Sequence, residues 1–354
     1  AAKAYAKNRR VSTEQAESYL SLITATDNYA DLDGCDFVIE AVFEDRGVKA
    51  AVTKEAEAVL GMSAVFASNT SALPISELAQ ASTRATNFVG MHFFSPAEKM
   101  PLVEIIRGKE TSDETAARTF DLAQQLGKTP IVVNDGPGFF TTRVIGQFIS
   151  QSSEMLLEGV NPVLIDAGAR DNGSPVGPLA IMDEMSLAMA HKNGQQARAD
   201  VEASGKTWEP NAASIILDRM VNEFNRSGKN EGGGYYDYPE GGAKHIWPGL
   251  KAAFAPNGYK DIPYEDVKDR LLMGPSLEAA RAMQEGVVNS VPDGNIGSIM
   301  GIGYPPHTGG VFQAINAKGV AEFVARADEL ASRYGAAFDV PQLLRDMAAK
   351  GETF

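Results

Sequence analysis

Between positions 35 and 133 the chain repeats one arrangement, a short continuous apolar run followed by a longer stretch with helical spacing. The runs are Asp36-Phe37-Val38-Ile39-Glu40-Ala41-Val42, Ala64-Val65-Phe66-Ala67, Phe88-Val89-Gly90-Met91 and Gly127-Lys128-Thr129-Pro130-Ile131-Val132-Val133. Helix-like segments at 46–60, 75–81 and 113–126 fill three of the intervals. A strand that is apolar at successive positions is covered on both faces, and parallel neighbours need crossover connections, usually helices. The pattern therefore predicts an α/β domain built on a buried, mainly parallel sheet.

On either side the rhythm is helical. Residues 1–10 read as the end of a helix, and Ser12 with Gln15 has capping-box spacing, so a further helix is expected to about Leu22. Gly136-Pro137-Gly138 punctuates the chain after the last apolar run and marks a domain exit. Beyond it, Val144, Phe148, Met155 and Leu156 have helical spacing, and the remainder reads as all-α with Gly/Pro-rich connections. The Gly- and Tyr-rich segment 231–239 reads as a linker crossing a surface.

A weak repeat is also visible. Glu158-Gly159-Val160 leads through Ile165-Asp166-Ala167-Gly168 to Gly177-Pro178-Leu179. Glu285-Gly286-Val287 leads through Ile296-Gly297-Ser298 to Gly303-Tyr304-Pro305-Pro306 and Gly309-Gly310. Two copies are compatible with a duplicated helical unit or with a chance likeness of Gly/Pro-rich loops. The expected division is 1–135, 136–238 and 239–354.

Composition narrows the function classes. With 44% apolar residues the chain can fill several cores, and no run of 18 apolar residues suggests a membrane span. A net charge of −14 argues against broad nucleic-acid or anionic-membrane binding. One cysteine, Cys35, excludes an internal disulfide framework and a multi-thiolate metal site, and fits a reducing cytoplasm. No His/Asp cluster suggests a metal.

In open α/β sheets, ligands gather at the carboxyl ends of the strands. Three expected strand ends carry polar residues there: Glu44-Asp45, Ser68-Asn69-Thr70-Ser71, and His92 with Ser95. His92 follows an apolar run, and Glu104 sits alone inside another, Leu102-Val103-Glu104-Ile105-Ile106. A buried imidazole beside a buried carboxylate makes a base that works near neutral pH. The residues alone also admit a core histidine satisfied by a carbonyl, and a helix cap at Thr70 or Ser71. His191, His245 and His307 lie in polar or Gly/Pro-rich contexts and read as surface or structural.

The motifs Ala67-Ser68-Asn69-Thr70-Ser71, Gly90-Met91-His92-Phe93-Phe94-Ser95-Pro96, Leu102-Val103-Glu104-Ile105-Ile106 and Asp135-Gly136-Pro137-Gly138-Phe139 stand in one order and spacing. Together they resemble the 3-hydroxyacyl-CoA dehydrogenase family. The likeness continues through Gly177-Pro178-Leu179, Tyr235-Tyr236-Asp237-Tyr238, Gly301-Ile302-Gly303-Tyr304-Pro305-Pro306 and Gly351-Glu352-Thr353-Phe354. The segments from Tyr235 onward resemble the second helical repeat of bacterial multifunctional fatty-acid oxidation α-subunits.

The resemblance implies the C-terminal part of a Rossmann-type domain followed by two duplicated helical subdomains. It implies NAD-dependent oxidation of 3-hydroxyacyl-CoA, with His92 as general base, Glu104 as its orienting partner and Ser71 near the reacting oxygen. Val42, Phe43, Glu44, Lys49, Ser71 and Ser95 match cofactor-contacting positions. Ser71, Asn69 and Thr142 match substrate-contacting ones. A homodimer or a thiolase-containing β-oxidation complex is implied as the assembly.

Two departures stand out. The family opens with a strand, a Gly-x-Gly-x-x-Gly turn and a helix, which do not precede the motifs here. The expectation is a piece of a longer protein, or a catalytically incomplete part with an assembly role. Thr142 stands where the family usually has Asn, which implies altered substrate contact. The basic Lys3, Lys7, Arg9 and Arg10 fit either CoA phosphates or a solvated helix face.

Overall fold

A computed structural model describes residues 12–203 and 205–354, so Lys3, Lys7, Arg9 and Arg10 lie outside the described part. Its first helix, α1 (Thr13–Leu20), has the expected capping box. The Ser12 hydroxyl accepts the Gln15 N–H at 3.2 Å, and Gln15 Oε1 accepts the Ser12 N–H at 3.0 Å.

The four apolar runs form β1 (Phe37–Glu40), β2 (Val65–Ser68), β3 (Phe88–Phe93) and β5 (Thr129–Asn134). The Glu104-bearing run adds β4 (Leu102–Arg107), giving one five-stranded sheet in the order β1-β2-β3-β4-β5. β1, β2 and β3 are parallel, β5 is parallel to β4, and β4 runs against β3. The segment 94–101 joining β3 to β4 is too short for a parallel crossover, so the chain reverses. Helices α2 (Arg46–Glu57), the short α3 (Ile75–Leu78) and α4 (Asp113–Gln125) occupy the expected intervals.

Both faces of the sheet are covered, which explains the continuous apolar strands. Val65, Ala67, Val89, Met91, Val103 and Ile105 pack with Phe120 and Ala123 of α4. Phe66, Phe88, Leu102, Ile106, Ile131 and Val133 point the other way, toward Phe139, Phe140, Val144, Ala279 and Phe312 from the helical part. Successive strand residues face opposite sides. His92 and Glu104 therefore share the face of Phe88 and Leu102, the one that meets the helices.

The helical part begins with α5 (Thr141–Leu157), α6 (Pro162–Asp171), α7 (Pro178–Met185), α8 (Leu187–Ala203) and α9 (Ala212–Asp218). After α10 (Gly249–Phe254) come α11 (Tyr264–Gln284), α12 (Val291–Ile302), α13 (Val311–Lys318), α14 (Val320–Tyr334) and α15 (Gln342–Lys350). Helices α5–α8 and α11–α14 correspond in order. Each leading helix stops at a left-handed glycine, Gly159 at φ +86° and Gly286 at φ +75°. The following N–H turns back to the helix: Val160 to the Met155 carbonyl at 2.9 Å and Val287 to the Ala282 carbonyl at 2.8 Å.

The second helix of each unit then caps the third. Asp166 on α6 accepts the Leu179 and Ala180 N–H groups at 2.9 and 3.3 Å, and Asn295 on α12 accepts those of Phe312 and Gln313 at 2.9 and 3.4 Å. Burial pushes the Asp166 carboxyl above its ordinary pKa, against the hydrogen bonds from Tyr236 and the two N–H groups.

Helices α5 and α11 pack together, and their ion pairs are reciprocal. Arg143 of α5 reaches Glu278 and Glu285 at 2.7 and 2.6 Å. Arg270 of α11 reaches Gln151 and Glu158 at 3.0 and 2.8 Å. Arg143, Gln151 and Glu158 recur with the same spacing as Arg270, Glu278 and Glu285, so the contact is approximately two-fold symmetric within one chain.

The expected surface linker at 231–239 is corrected. Tyr235 and Tyr236 are buried, and their N–H groups donate to Asp183 at 2.7 and 2.9 Å. The Tyr236 hydroxyl donates to Asp166 at 2.6 Å. Strand β6 (Tyr236–Asp237) pairs with β7 (His245–Ile246), a small ribbon within the helical region. The aromatic side chains supply core area, and the buried aspartates satisfy the irregular backbone.

A side chain at Gly177 has no room, because an added Cβ lies 2.2 Å from Asp166 Cγ. Gly177→Ala is expected to displace the cap of α7 and lower stability by about 3 kcal/mol, measured by denaturant unfolding against Gly194→Ala, an open helical position.

Candidate active site

Antiparallel pairing of β3 and β4 sets His92 directly opposite Glu104. The side chains meet on the sheet face turned toward α5, with His92 Nδ1 3.0 Å from Glu104 Oε2. His92 is 5% exposed and Glu104 0%. A buried carboxylate needs compensating donors, and α5 provides them. Glu104 Oε1 accepts the backbone N–H groups of Phe140 and Thr141, each at 3.0 Å, and Oε2 accepts the Thr141 hydroxyl at 2.5 Å. Phe140, the N-cap residue of α5, makes no side-chain cap hydrogen bond. Glu104 therefore serves as a remote cap, with its charge at the positive end of the helix dipole.

This geometry assigns the imidazole tautomer. An ionised carboxylate only accepts hydrogen bonds, so Nδ1 carries a proton and Nε2 of the neutral ring holds the lone pair. The ring sits against Phe94 and Phe139, with centroids 4.4 and 6.4 Å away. Phe139 takes the unusual φ of +51° at the turn into α5.

The ends of β1 and β2 form a second polar centre, joined to the first through Asn69. Glu40, the last residue of β1, accepts the Lys49 amine at 2.9 and 3.2 Å, the Ser68 hydroxyl at 2.7 Å and the Val42 N–H at 2.7 Å. The Lys49 amine also donates to the Asn69 carbonyl at 2.9 Å and lies 3.4 Å from Glu44. Asn69 Oδ1 accepts the N–H of Phe93, the neighbour of His92, at 3.0 Å. Glu44 Oε1 accepts the Thr70 hydroxyl at 2.5 Å and the Ser71 N–H at 3.2 Å. The Thr142 hydroxyl donates to the Ser71 carbonyl at 3.0 Å, so the first turn of α5 touches both centres.

Of the residues expected at the site, His92 and Glu104 meet directly, while Asn69, Glu44, Lys49, Ser71 and Thr142 form one hydrogen-bonded cluster. The Thr70 hydroxyl accepts the Ala72 and Leu73 N–H groups, which closes a turn. The expected helix cap at Thr70 or Ser71 is corrected, because the N-cap residue of α3 is Pro74 and that helix's first N–H groups go to Asp135. Val42 joins these contacts through its backbone N–H alone, and Phe43 and Ser95 make none of them. Val42 and Ser95 are exposed, and Phe43 is 85% exposed just beyond β1. Glu40 and Thr141 were not anticipated. A carboxylate closing an apolar strand was the available signal for Glu40. Nothing in the local sequence of Thr141 points to Glu104, which is 37 positions away.

A dinucleotide suits this rim at one end. The three parallel strands direct their carboxyl ends to the same side, where Val42 and Phe43 follow β1, Ser71 follows β2 and Ser95 follows β3, all exposed. Among the described residues no group of three or more His, Cys, Asp or Glu could hold a metal ion. No described helix is long and apolar enough to cross a membrane.

Residues 1–136 match the family model described as 3-hydroxyacyl-CoA dehydrogenase, NAD binding domain, and residues 138–238 match its C-terminal domain. The chain belongs to the 3-hydroxyacyl-CoA dehydrogenase family. It is 35% identical over 351 residues to the fatty acid oxidation complex subunit alpha of Shewanella halifaxensis, covering 98% of this chain and 48% of the relative. The chain thus spans about half the length of the curated relatives it matches. An (S)-3-hydroxybutyryl-CoA dehydrogenase structure from Ralstonia eutropha is 33% identical, with a TM-score of 0.60, covering 67% of this chain and 82% of that one. A 3-hydroxybutyryl-CoA dehydrogenase structure from Escherichia coli K12 covers 99% of this chain and 89% of its own, with a TM-score of 0.82 at 22% identity, a likeness of fold.

Lys49 and Glu40 are both 1% exposed at their side chains, so removing one leaves the other charged and buried. Lys49→Met is expected to cost about 3 kcal/mol of stability, and adding Glu40→Gln is expected to restore part of it, as read from a double-mutant unfolding cycle.

Proposed function

We propose that this chain carries the centre that oxidises (S)-3-hydroxyacyl-CoA to 3-oxoacyl-CoA, with His92 as general base. The observation behind this reading is the 3.0 Å contact from His92 Nδ1 to a Glu104 carboxylate fixed by three donors of α5. Bound NAD⁺ supplies the acceptor for the hydride that leaves C3. The protein's part is proton transfer and orientation. Nε2 takes the C3 hydroxyl proton, and Glu104 retains the Nδ1 hydrogen bond and balances the imidazolium charge. In the reverse direction the same nitrogen returns the proton.

Asn69 presents its Oδ1 to the Phe93 N–H, so its amide NH₂ is the end left to donate to a substrate oxygen. We assign the exposed Ser71 hydroxyl to orienting the C3 oxygen. Thr142 already donates its only hydroxyl proton to the Ser71 carbonyl, so toward a substrate it offers lone pairs alone. We assign it chiefly to holding the Ser71 loop. Glu44 and Lys49 act through that loop and the strand ends, and Val42, Phe43 and Ser95 form the cofactor-facing rim.

We further place the chain in a cytoplasmic β-oxidation complex that includes a thiolase, following the relatives named as subunits of a fatty acid oxidation complex. Because α11 covers α5 within the chain, a homodimer would have to use another face.

The test follows NADH absorbance with acetoacetyl-CoA for this chain and for an N-terminally extended form. His92→Ala is expected to lower kcat by about 10²–10⁴-fold, and Glu104→Gln to lower it too, by removing the charge that balances the imidazolium and leaving one acceptor oxygen for four donors. An extended form that is inactive, or active without regard to His92, sinks the dehydrogenase reading and leaves the assembly role.

A further inference from the structure

The Thr141 side chain is fully buried at the start of α5, and its hydroxyl donates to Glu104 Oε2, the same oxygen that faces His92 Nδ1. Its backbone N–H donates to the other oxygen, Oε1, together with that of Phe140. The two N–H groups belong to the backbone and survive any side-chain change. The hydroxyl is the one contact on Oε2 from α5 that the side-chain sequence decides.

We propose that Thr141 is a positioning residue of the catalytic pair, one that sets the proton affinity of His92 by sharing Glu104 Oε2 with it. This extends the general-base reading of His92 and rests on it. The physical chain is short. A hydroxyl donor draws charge from Oε2 and fixes its rotation, so the carboxylate binds the imidazolium less strongly than an undistracted one would. The fixed rotation also holds Oε2 in line with Nδ1, which keeps the ring aimed. The ring contacts Glu104 from β4, Phe94 beyond β3, and Phe139 before α5. Among the described residues, Glu104 is the charged group in direct contact with it.

Thr141 differs in role from Thr142. The Thr142 hydroxyl reaches the carbonyl of the Ser71 loop, at a more exposed position, and touches neither member of the pair. Replacing Thr141 with Val keeps shape and deletes only the hydroxyl, whereas Ser keeps the hydroxyl and deletes a methyl.

The test is the NMR titration of the imidazole nitrogens in the full chain, with His92 assigned by loss of its signals in His92→Gln. It needs no turnover. Thr141→Val is expected to raise the His92 midpoint by about one pH unit, tenfold in proton affinity. Thr141→Ser is expected to stay near the wild-type value. In a form that turns over, the acid limb of kcat/KM moves with the midpoint. An unmoved midpoint in Thr141→Val overturns the proposal, as does an equal shift in Thr141→Ser, which would mark a packing effect. Should the Val variant not fold, Thr141→Ala against Thr141→Ser makes the same comparison. Activity that survives His92→Ala would instead overturn the general-base reading, on a different measurement.

Discussion

The candidate active site is held together by the carboxylate of Glu104. On one side it receives the imidazole of the opposing strand, and on the other the first free N–H groups of α5. A carboxylate fully removed from water is costly unless its lone pairs are filled and its charge is balanced. Here the helix end does both, at the point where the sheet gives way to the helical part. The same four donors that make the burial tolerable also fix the group's orientation. Structural and chemical roles therefore cannot be separated at this residue.

The device recurs across the chain. Helices α3, α5, α7 and α13 begin at Pro74, Phe140, Gly177 and Gly310, none of which makes a side-chain cap hydrogen bond. Each takes its cap from elsewhere: Asp135 for α3, Glu104 for α5, Asp166 for α7 and Asn295 for α13. A helix with a local cap can begin before its neighbours dock, whereas these N-termini are completed only when a distant acceptor arrives. Secondary and tertiary structure are thereby tied together at four points, one of them the candidate active site.

This also explains what could be read in advance. Strand runs and helix spacing are local, so the sheet elements, the helical half and the box at Ser12 were legible. His92 and Glu104 were legible because a polar residue inside an apolar run has to be explained. The reversal at β4 was not, since apolar strands look alike in either direction. The segment 231–239 misled because glycine and tyrosine mark loops by composition, while Asp166 and Asp183, remote in sequence, draw its tyrosines inward. Thr141 was silent for the same reason: its partner lies on another strand, and a threonine near a helix start is ordinary.

The second helical unit then takes a physical part in holding the candidate site. Arg143 lies two positions beyond Thr141 on α5, and its guanidinium is held by Glu278 on α11 and by Glu285 at that helix's end. Burial alone would weaken that cation, and the two carboxylates more than offset it, raising its affinity for the proton. Behind the same turn, the Val287 carbonyl and Gly286 carbonyl accept the backbone and side-chain N–H groups of Asn134 at the end of β5, each at 2.8 Å. The second unit thus grips both the helix that caps Glu104 and the strand beside β4. Other polar contacts of the second unit fall elsewhere, as where Arg270 holds Gln151 and Glu158, but those at Arg143 and Asn134 lie beside the candidate site. Placed as they are, they brace the first turn of α5, whose two threonines and two N–H groups aim Glu104 at His92 and hold the loop of Ser71.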